Sequence, residues 1–247
     1  MTSALAQTPR VALVTGGTRG IGAAVSRALH AAGHRVVASY GSNVAEARAF
    51  ETATGIRTMA FDVAAFEACA DAMDRIAQAE GPVTILVNNA GITRDSTMGR
   101  MTRAAWDAVI DTNLGAAFNL CRLAMPVMRA EGFGRIVNMA SINGQTGQFG
   151  QANYAASKAG LQGLTRALAL EGARHNITVN TIAPGYIDTA MLETVPPQIL
   201  ADIVARIPVG RLGTPDDVAR AVTFLTAEDA GFITGSTISI NGGQHMP

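Results

Sequence analysis

Lysine is almost missing from this chain. It occurs once, at Lys158, and the other strongly basic side chains are all arginine. Arginine serves on a solvated surface, but a guanidinium cannot shift its pKa as a compact ammonium can, so a lone lysine points to chemistry that arginine cannot do. Cysteine is scarce as well. Cys69 and Cys121 fall inside helical patterns with no metal-ligand spacing, which argues against a disulfide scaffold or a zinc site and suits a reducing compartment. Charge of one sign is lacking: the formal net charge is +0 and the pI about 6.9, with no basic stripe. That argues against nucleic acid as a partner. No apolar run is long enough to span a bilayer, and residues 1–10 lack the apolar run of a signal peptide. A soluble cytoplasmic protein with no membrane partner is the expectation. Apolar residues are what the chain has in quantity, 48% against 15% charged, enough for a large core.

Short apolar runs recur at residues 11–15, 36–40, 58–61, 84–87, 135–139, 178–182 and 236–240. They show little alternation, as strands buried on both faces do. Helical patterns lie between them at 21–32, 43–54, 66–80, 102–129, 153–173 and 215–226. Strand–helix alternation from end to end implies βαβ units. The expected fold is α/β: one Rossmann-type doubly wound domain over residues 1–247, with a mostly parallel seven-stranded sheet and helices on both faces. Pro126 is expected to kink or end the 102–129 helix. Pro196, Pro197 and Pro208 leave 184–211 irregular or partly helical. Ligands of such sheets bind beyond the carboxyl ends of the strands, and every motif below lies at such an end.

Thr15-Gly16-Gly17-Thr18-Arg19-Gly20-Ile21-Gly22 joins the first strand to the first helix. Glycines let a backbone approach a pyrophosphate, and the helix N-terminus supplies N–H donors. Many glycine turns are only turns, but between an apolar strand and a helix this one reads as dinucleotide binding. The second strand ends in Ser39-Tyr40-Gly41-Ser42-Asn43, without the carboxylate that would bind the ribose 2′-hydroxyl of NAD. Arg19, helped by Ser39 or Ser42, could instead meet a 2′-phosphate, which favours NADPH; otherwise Arg19 is a solvated loop residue. Asp62 ends the third strand, as an acceptor for an adenine amino group or as a helix N-cap. Tyr154 and Lys158 are four apart, hence on one helix face. A lone pair of this kind is usually a solvated face. In a working site the ammonium favours the phenolate and brings a phenol toward acid–base use near neutral pH.

With these residues placed, the chain resembles the short-chain dehydrogenase/reductase family from Val11 to His245. The resemblance rests on Thr15-Gly16-x-x-x-Gly20-x-Gly22, Asn88-Asn89-Ala90-Gly91, Asn113, Ser141, Tyr154-x-x-x-Lys158 and Pro184-Gly185, in that order and spacing. It implies that Tyr154 protonates a carbonyl oxygen as hydride arrives, that Ser141 holds that oxygen, that Lys158 binds the nicotinamide ribose and lowers the tyrosine pKa, and that Asn113 positions a water of the proton relay. It further implies that Val63, Asn89, Ala90 and Gly91 lie along the adenosine, that Pro184, Gly185, Ile187 and Thr189 cover the nicotinamide, and that residues 187–211 form a substrate lid.

Within the family the likeness is to bacterial acetoacetyl-CoA reductases, carried by the run from Ser141 to Tyr154, by Asn88 through Asp95 and by Asn241-Gly242-Gly243-Gln244-His245-Met246. It implies reduction of acetoacetyl-CoA to (R)-3-hydroxybutanoyl-CoA with NADPH, ahead of polyhydroxybutyrate synthesis, by a homotetramer with no metal. Gln148 and Gln151 are expected to offer amides to a short acyl thioester, Phe149 an apolar wall, and Asp95, Gly185 and Tyr186 further contacts; a solvated loop is the plainer reading of the two glutamines. Two rival readings stand beside it. One is a 3-oxoacyl-carrier-protein reductase of fatty acid synthesis, which shares nearly every motif. The other is a dinucleotide-binding sensor or scaffold without turnover, against which the complete catalytic set argues.

Overall fold

A computed structural model of the chain describes residues 9–190, 192 and 195–246. Seven strands form one sheet: β1 (Val11–Val14), β2 (Arg35–Tyr40), β3 (Arg57–Ala60), β4 (Val83–Asn88), β5 (Gly134–Met139), β6 (Ile177–Pro184) and β7 (Thr237–Ile240). Their order is β3-β2-β1-β4-β5-β6-β7, and all neighbours pair in parallel. The helices are α1 (Gly20–Ala31), α2 (Val44–Thr54), α3 (Phe66–Ala79), α4 (Arg103–Ile110), α5 (Ala116–Glu131), α6 (Asn143–Thr146), α7 (Ala152–Gly172), α8 (Pro197–Ala205) and α9 (Pro215–Thr226).

The apolar runs become strands because both faces are covered. Ala12 and Val14 point into a core shared with α1 and α9, through Leu29, Val218, Val222 and Leu225. Val11 and Leu13 point into a second core with α3, α5 and α7, through Ile76, Leu120, Met128 and Ala169. Alternate side chains of one strand therefore feed two apolar layers, and the sequence shows no polar face. A buried polar ladder crosses the sheet centre: Asn88 Nδ2 donates to Asn138 Oδ1 at 2.8 Å, and Asn138 Nδ2 donates to Thr165 Oγ1 on α7 at 2.8 Å. The chain runs outward from β1 to β3 and returns to β4 beside β1. The switch in strand order, and hence the crevice, lies between the carboxyl ends of β1 and β4.

The long helix expected over 102–129 is two helices. Thr102 caps α4 through the Ala105 N–H, as its sequence position suggests, but residues Asp111–Gly115 form a π-turn before α5 begins. Pro126 does not end the pattern; α5 continues to Glu131 and closes at Gly132, whose φ is +63°. A proline inside a helix costs about 3 kcal/mol. Met125 and Met128 flank it and are both buried against the sheet, and burying each contributes about 1.5–3 kcal/mol. Pro197, expected as a breaker, instead opens α8 at its first turn, where its missing N–H has no helical partner to lose. In the segment 187–211, expected to be a lid, residues 191, 193 and 194 lie outside the described residues, as do residues 1–8 of the N-terminal stretch.

Candidate active site

The crevice begins with a knot between β1 and β4. Thr15 Oγ1 accepts the backbone N–H groups of Asn89 and Ala90, each at 2.9 Å. Asn89 Nδ2 donates back to the carbonyls of Thr15 and Gly16, at 2.9 and 3.2 Å. Gly16 and Gly20 take φ of +59° and +49°, the left-handed region that favours glycine. A Cβ on Gly22 would stand 2.0 Å from the Gly16 carbonyl oxygen, so the loop folds onto its own helix only with glycine there. Arg19 is the N-cap of α1 and makes no side-chain cap bond, and the first turn carries no acidic residue. The first-turn N–H groups and the positive end of the dipole are left for an anion, so this cradle fits a dinucleotide pyrophosphate. Thr18 is buried, Ile21 half-buried and Arg19 exposed.

The segment after β6 reaches this loop. A Cβ on Gly20 would stand 3.6 Å from Thr189 Cγ2. Pro184 and Ile187 are buried, and the Tyr186 carbonyl accepts the Gly213 N–H at 2.9 Å. Gly185 is packed against Asn241, with only 2.9 Å from a built Cβ to the Asn241 Cα. At the end of β2, Ser39 departs from expectation. Its residue is only 1% exposed and its carbonyl holds the Gly17 N–H, because β2 is covered on both faces and the hydroxyl has no surface to offer. Ser42 is exposed and Tyr40 half-buried. Asp62 accepts the Ala64 N–H at 2.9 Å, and the N-cap of α3 is Ala65, so the capping role is not taken. The Val63 carbonyl accepts from Asn119 Nδ2 at 3.1 Å.

The second half of the site lies where β5 ends against α7. Lys158 is 4% exposed and donates from Nζ to the Met139 carbonyl at 2.7 Å. Burial lowers its pKa to about 8. Its Nζ stands 5.5 Å from the centre of the Tyr154 ring. Ser141 lies near enough to the Tyr154 hydroxyl to lower its pKa. The expected direction for Tyr154 is reversed: burial raises its pKa, Ser141 pulls it back, and the Asp95 carboxylate raises it again. The phenol is thus held as the protonated acid. Asn113 sits in the π-turn, where its Oδ1 accepts the Ile92 N–H at 2.8 Å and its Nδ2 donates to the Ile92 carbonyl at 3.0 Å and to Ser157 Oγ at 3.2 Å. Gly91 lets these groups meet: a Cβ there would lie 3.2 Å from Asn113 Oδ1 and 3.5 Å from Lys158 Nζ.

The expected substrate loop is only partly as drawn. Gln148 is exposed, and Phe149 is 88% exposed, so it forms no wall; it sits on a turn between α6 and α7 that projects it outward. Gln151 is not a free amide. Its Oε1 accepts from Asn143 Nδ2 at 2.9 Å and its Nε2 donates to Asp95 Oδ2 at 2.8 Å. Several residues with no role expected of them also build the site. Thr15 ties the knot, Asn119 holds the Val63 carbonyl, and Ser157 links Asn113 to the Tyr154 carbonyl at 2.7 Å. Asn153, fully buried, donates to the Arg94 carbonyl at 3.0 Å. Asn119, Asn153 and Ser157 are polar residues on otherwise buried helix faces, which is the one trace the sequence holds of them.

A family model described as enoyl-(acyl carrier protein) reductase matches residues 16–245. The acetoacetyl-CoA reductase of Rhizobium meliloti (strain 1021) is 57% identical over 96% of this chain and 99% of its own length. That of Cupriavidus necator is 47% identical over 97% and 99%. The 3-oxoacyl-(acyl-carrier-protein) reductase of Escherichia coli (strain K12) is 41% identical over 96% and 98%. The chain belongs to the short-chain dehydrogenase/reductase family. Reductases of this family use a nicotinamide dinucleotide, and the glycine cradle is the part of this chain that fits one.

Proposed function

We propose that the protein reduces acetoacetyl-CoA to (R)-3-hydroxybutanoyl-CoA with NADPH. The observation that carries the chemistry is the pairing of Tyr154, beside Ser141, with a buried Lys158 whose Nζ stands 5.5 Å from its ring, at the crevice of a dinucleotide fold. The dinucleotide supplies the hydride. The Tyr154 hydroxyl gives its proton to the substrate's carbonyl oxygen, and the Ser141 hydroxyl donates a hydrogen bond to that oxygen as negative charge grows on it. Lys158 holds the nicotinamide ribose, and Asn113 keeps Ile92 and Ser157 in place around it. The substrate assignment is supported by the 57% and 47% identity to acetoacetyl-CoA reductases, against 41% to the carrier-protein enzyme. Arg94 and Arg100, with Thr93, Asp95, Ser96 and Thr102, line a surface depression of about 460 Å³ beside the site. Two guanidinium groups there suit the phosphates of CoA.

Initial rates with acetoacetyl-CoA, with acetoacetyl-carrier protein in parallel, test the substrate; a clear preference for the carrier protein would move the enzyme to fatty acid synthesis. The NADPH choice rests on Arg19, exposed in the glycine loop, and Ser42, exposed after β2, with no carboxylate in the stretch from Ser39 to Asn43. Arg19→Ala should weaken NADPH about tenfold or more while changing NADH little, since a charge-assisted phosphate contact is worth about 1.5–3 kcal/mol. Equal losses for both cofactors would show that Arg19 does not read the 2′-phosphate.

The setting of the reaction belongs to the same proposal. We place the enzyme in the cytoplasm, where its two free, buried thiols stay reduced, and ahead of polyhydroxybutyrate synthesis. A homotetramer is supported by large exposed apolar side chains on separate helices, Phe118 on α5, Leu170 on α7 and Phe224 on α9. A monomer in sedimentation, a membrane-bound fraction, or a deletion strain that keeps its polymer would each remove the corresponding part.

A further inference from the structure

Asn143 lies in the run from Ser141 to Tyr154 with no role expected of it, yet three segments of the site meet through it. Its backbone N–H donates to Ser141 Oγ at 3.2 Å, and its side chain begins a bridge. Asn143 Nδ2 donates to Gln151 Oε1 at 2.9 Å, and Gln151 Nε2 donates to Asp95 Oδ2 at 2.8 Å. A carboxylate only accepts, so the Gln151 NH2 must face Asp95, its carbonyl must face Asn143, and the Asn143 NH2 must point at that carbonyl. The bridge therefore has one polarity. Its anchor is firm: α6 begins at Asn143, and a Cβ on the next residue, Gly144, would lie 2.8 Å from the Lys158 backbone. The far end is fastened independently by Ser96 N–H to the Gly150 carbonyl at 2.8 Å and by Asn153 to the Arg94 carbonyl.

We propose that Asn143 is a positioning residue, which through Gln151 holds the Asp95 carboxylate at the mouth of the Ser141–Tyr154 site. Both bridging groups are neutral amides, so the only charge on the bridge is at its end. The charged groups facing the Tyr154 phenol are Asp95, from the loop after β4, and Lys158, on its own helix. Pinned Asp95 favours the protonated phenol, which is the form a reductase spends. Without the bridge the exposed carboxylate is free to swing into solvent, and the phenol loses its proton at lower pH.

The inference rests on Tyr154 being the acid. The test uses the full chain with Asn143→Ala and, as a second break in the same bridge, Gln151→Met. Tyrosinate absorbance is followed against pH; the chain has three tyrosines, and Tyr154→Phe identifies the contribution of Tyr154. Both variants should titrate Tyr154 at lower pH, move the alkaline limb of kcat the same way, and lower kcat about ten- to a hundredfold with the KM for NADPH little changed. Adding Asn143→Ala to Asp95→Asn should cost less than about twofold more, because the two act through one another. An unmoved Tyr154 titration, or losses that multiply independently, would overturn the proposal. If the wild type reduces no thioester, the functional reading fails, and the tyrosinate titration still decides the bridge.

Discussion

Tyr154→Phe is expected to lower turnover about 10²- to 10⁴-fold and to leave NADPH binding nearly unchanged. Burial keeps the hydroxyl protonated beside Ser141, and phenylalanine removes it while keeping the ring. The cofactor cradle is built elsewhere, from the Thr15–Asn89 knot and the glycines of α1, so it should not feel the loss. Initial rates and a fluorescence titration of NADPH on the same preparation separate the two effects. A variant with near-normal turnover would exclude Tyr154 as the acid. One that loses cofactor and rate together would mean that the hydroxyl also holds the cofactor.

The parts of this molecule that follow from local rules could be read from the chain. Strands covered on both faces must be apolar throughout, so 11–15, 36–40 and 135–139 declare themselves. The parallel sheet follows from the alternation, and the site from the rule that ligands bind where strand order switches. Thr214 and Pro215 mark the start of α9, where the full capping box is present. The π-turn at Asp111–Gly115 was not legible. Its apolar periodicity runs on unbroken, and what makes Asn113 part of it is a clamp on Ile92, a backbone partner 21 residues away. The four residues of α6 are too few and too polar to declare a period.

The chemistry divides in the same way. Spacing placed Tyr154 and Lys158 on one face, but it does not show how deeply each is buried. Burial decides the direction of the Tyr154 shift, so reasoning from the lysine charge alone gave the wrong sign. Ser39 lies at a strand end in the sequence, and only the covering of β2 shows that its hydroxyl is sealed. Gln151 looks like a free amide because its partner Asp95 is 56 residues distant. Long-range pairing and burial are properties of the packed chain, and local patterns do not carry them.

Lys158→Met is expected to remove turnover and an alkaline gain in stability together. The loss of rate should be about a hundredfold or more, since the proposed ribose contact and the charge beside Tyr154 go with the ammonium. Stability should respond through proton linkage. In the folded protein Lys158 releases its proton near pH 8, well below the ordinary lysine value of 10.5 that holds on unfolding. Above pH 8 the unfolded chain binds more protons than the folded one, so stability rises with pH; below 8 both forms are protonated and this slope is absent. The buried thiols act in the opposite sense, with Cys69 raised to about 11 and Cys121 to about 12, but only from their ordinary value of 9.0 upward. The interval from pH 8 to 9 therefore belongs to Lys158, the only lysine in the chain. The unfolding free energy from urea titration should rise across it by up to about 1.4 kcal/mol in the wild type and stay level in the methionine variant. Equal slopes would show that Lys158 does not titrate there. Lys158→Arg should fail as well, because Nζ is buried 2.7 Å from the Met139 carbonyl and a guanidinium is both wider and unable to release its proton. That is a physical reason why a chain so consistent in using arginine keeps one lysine here.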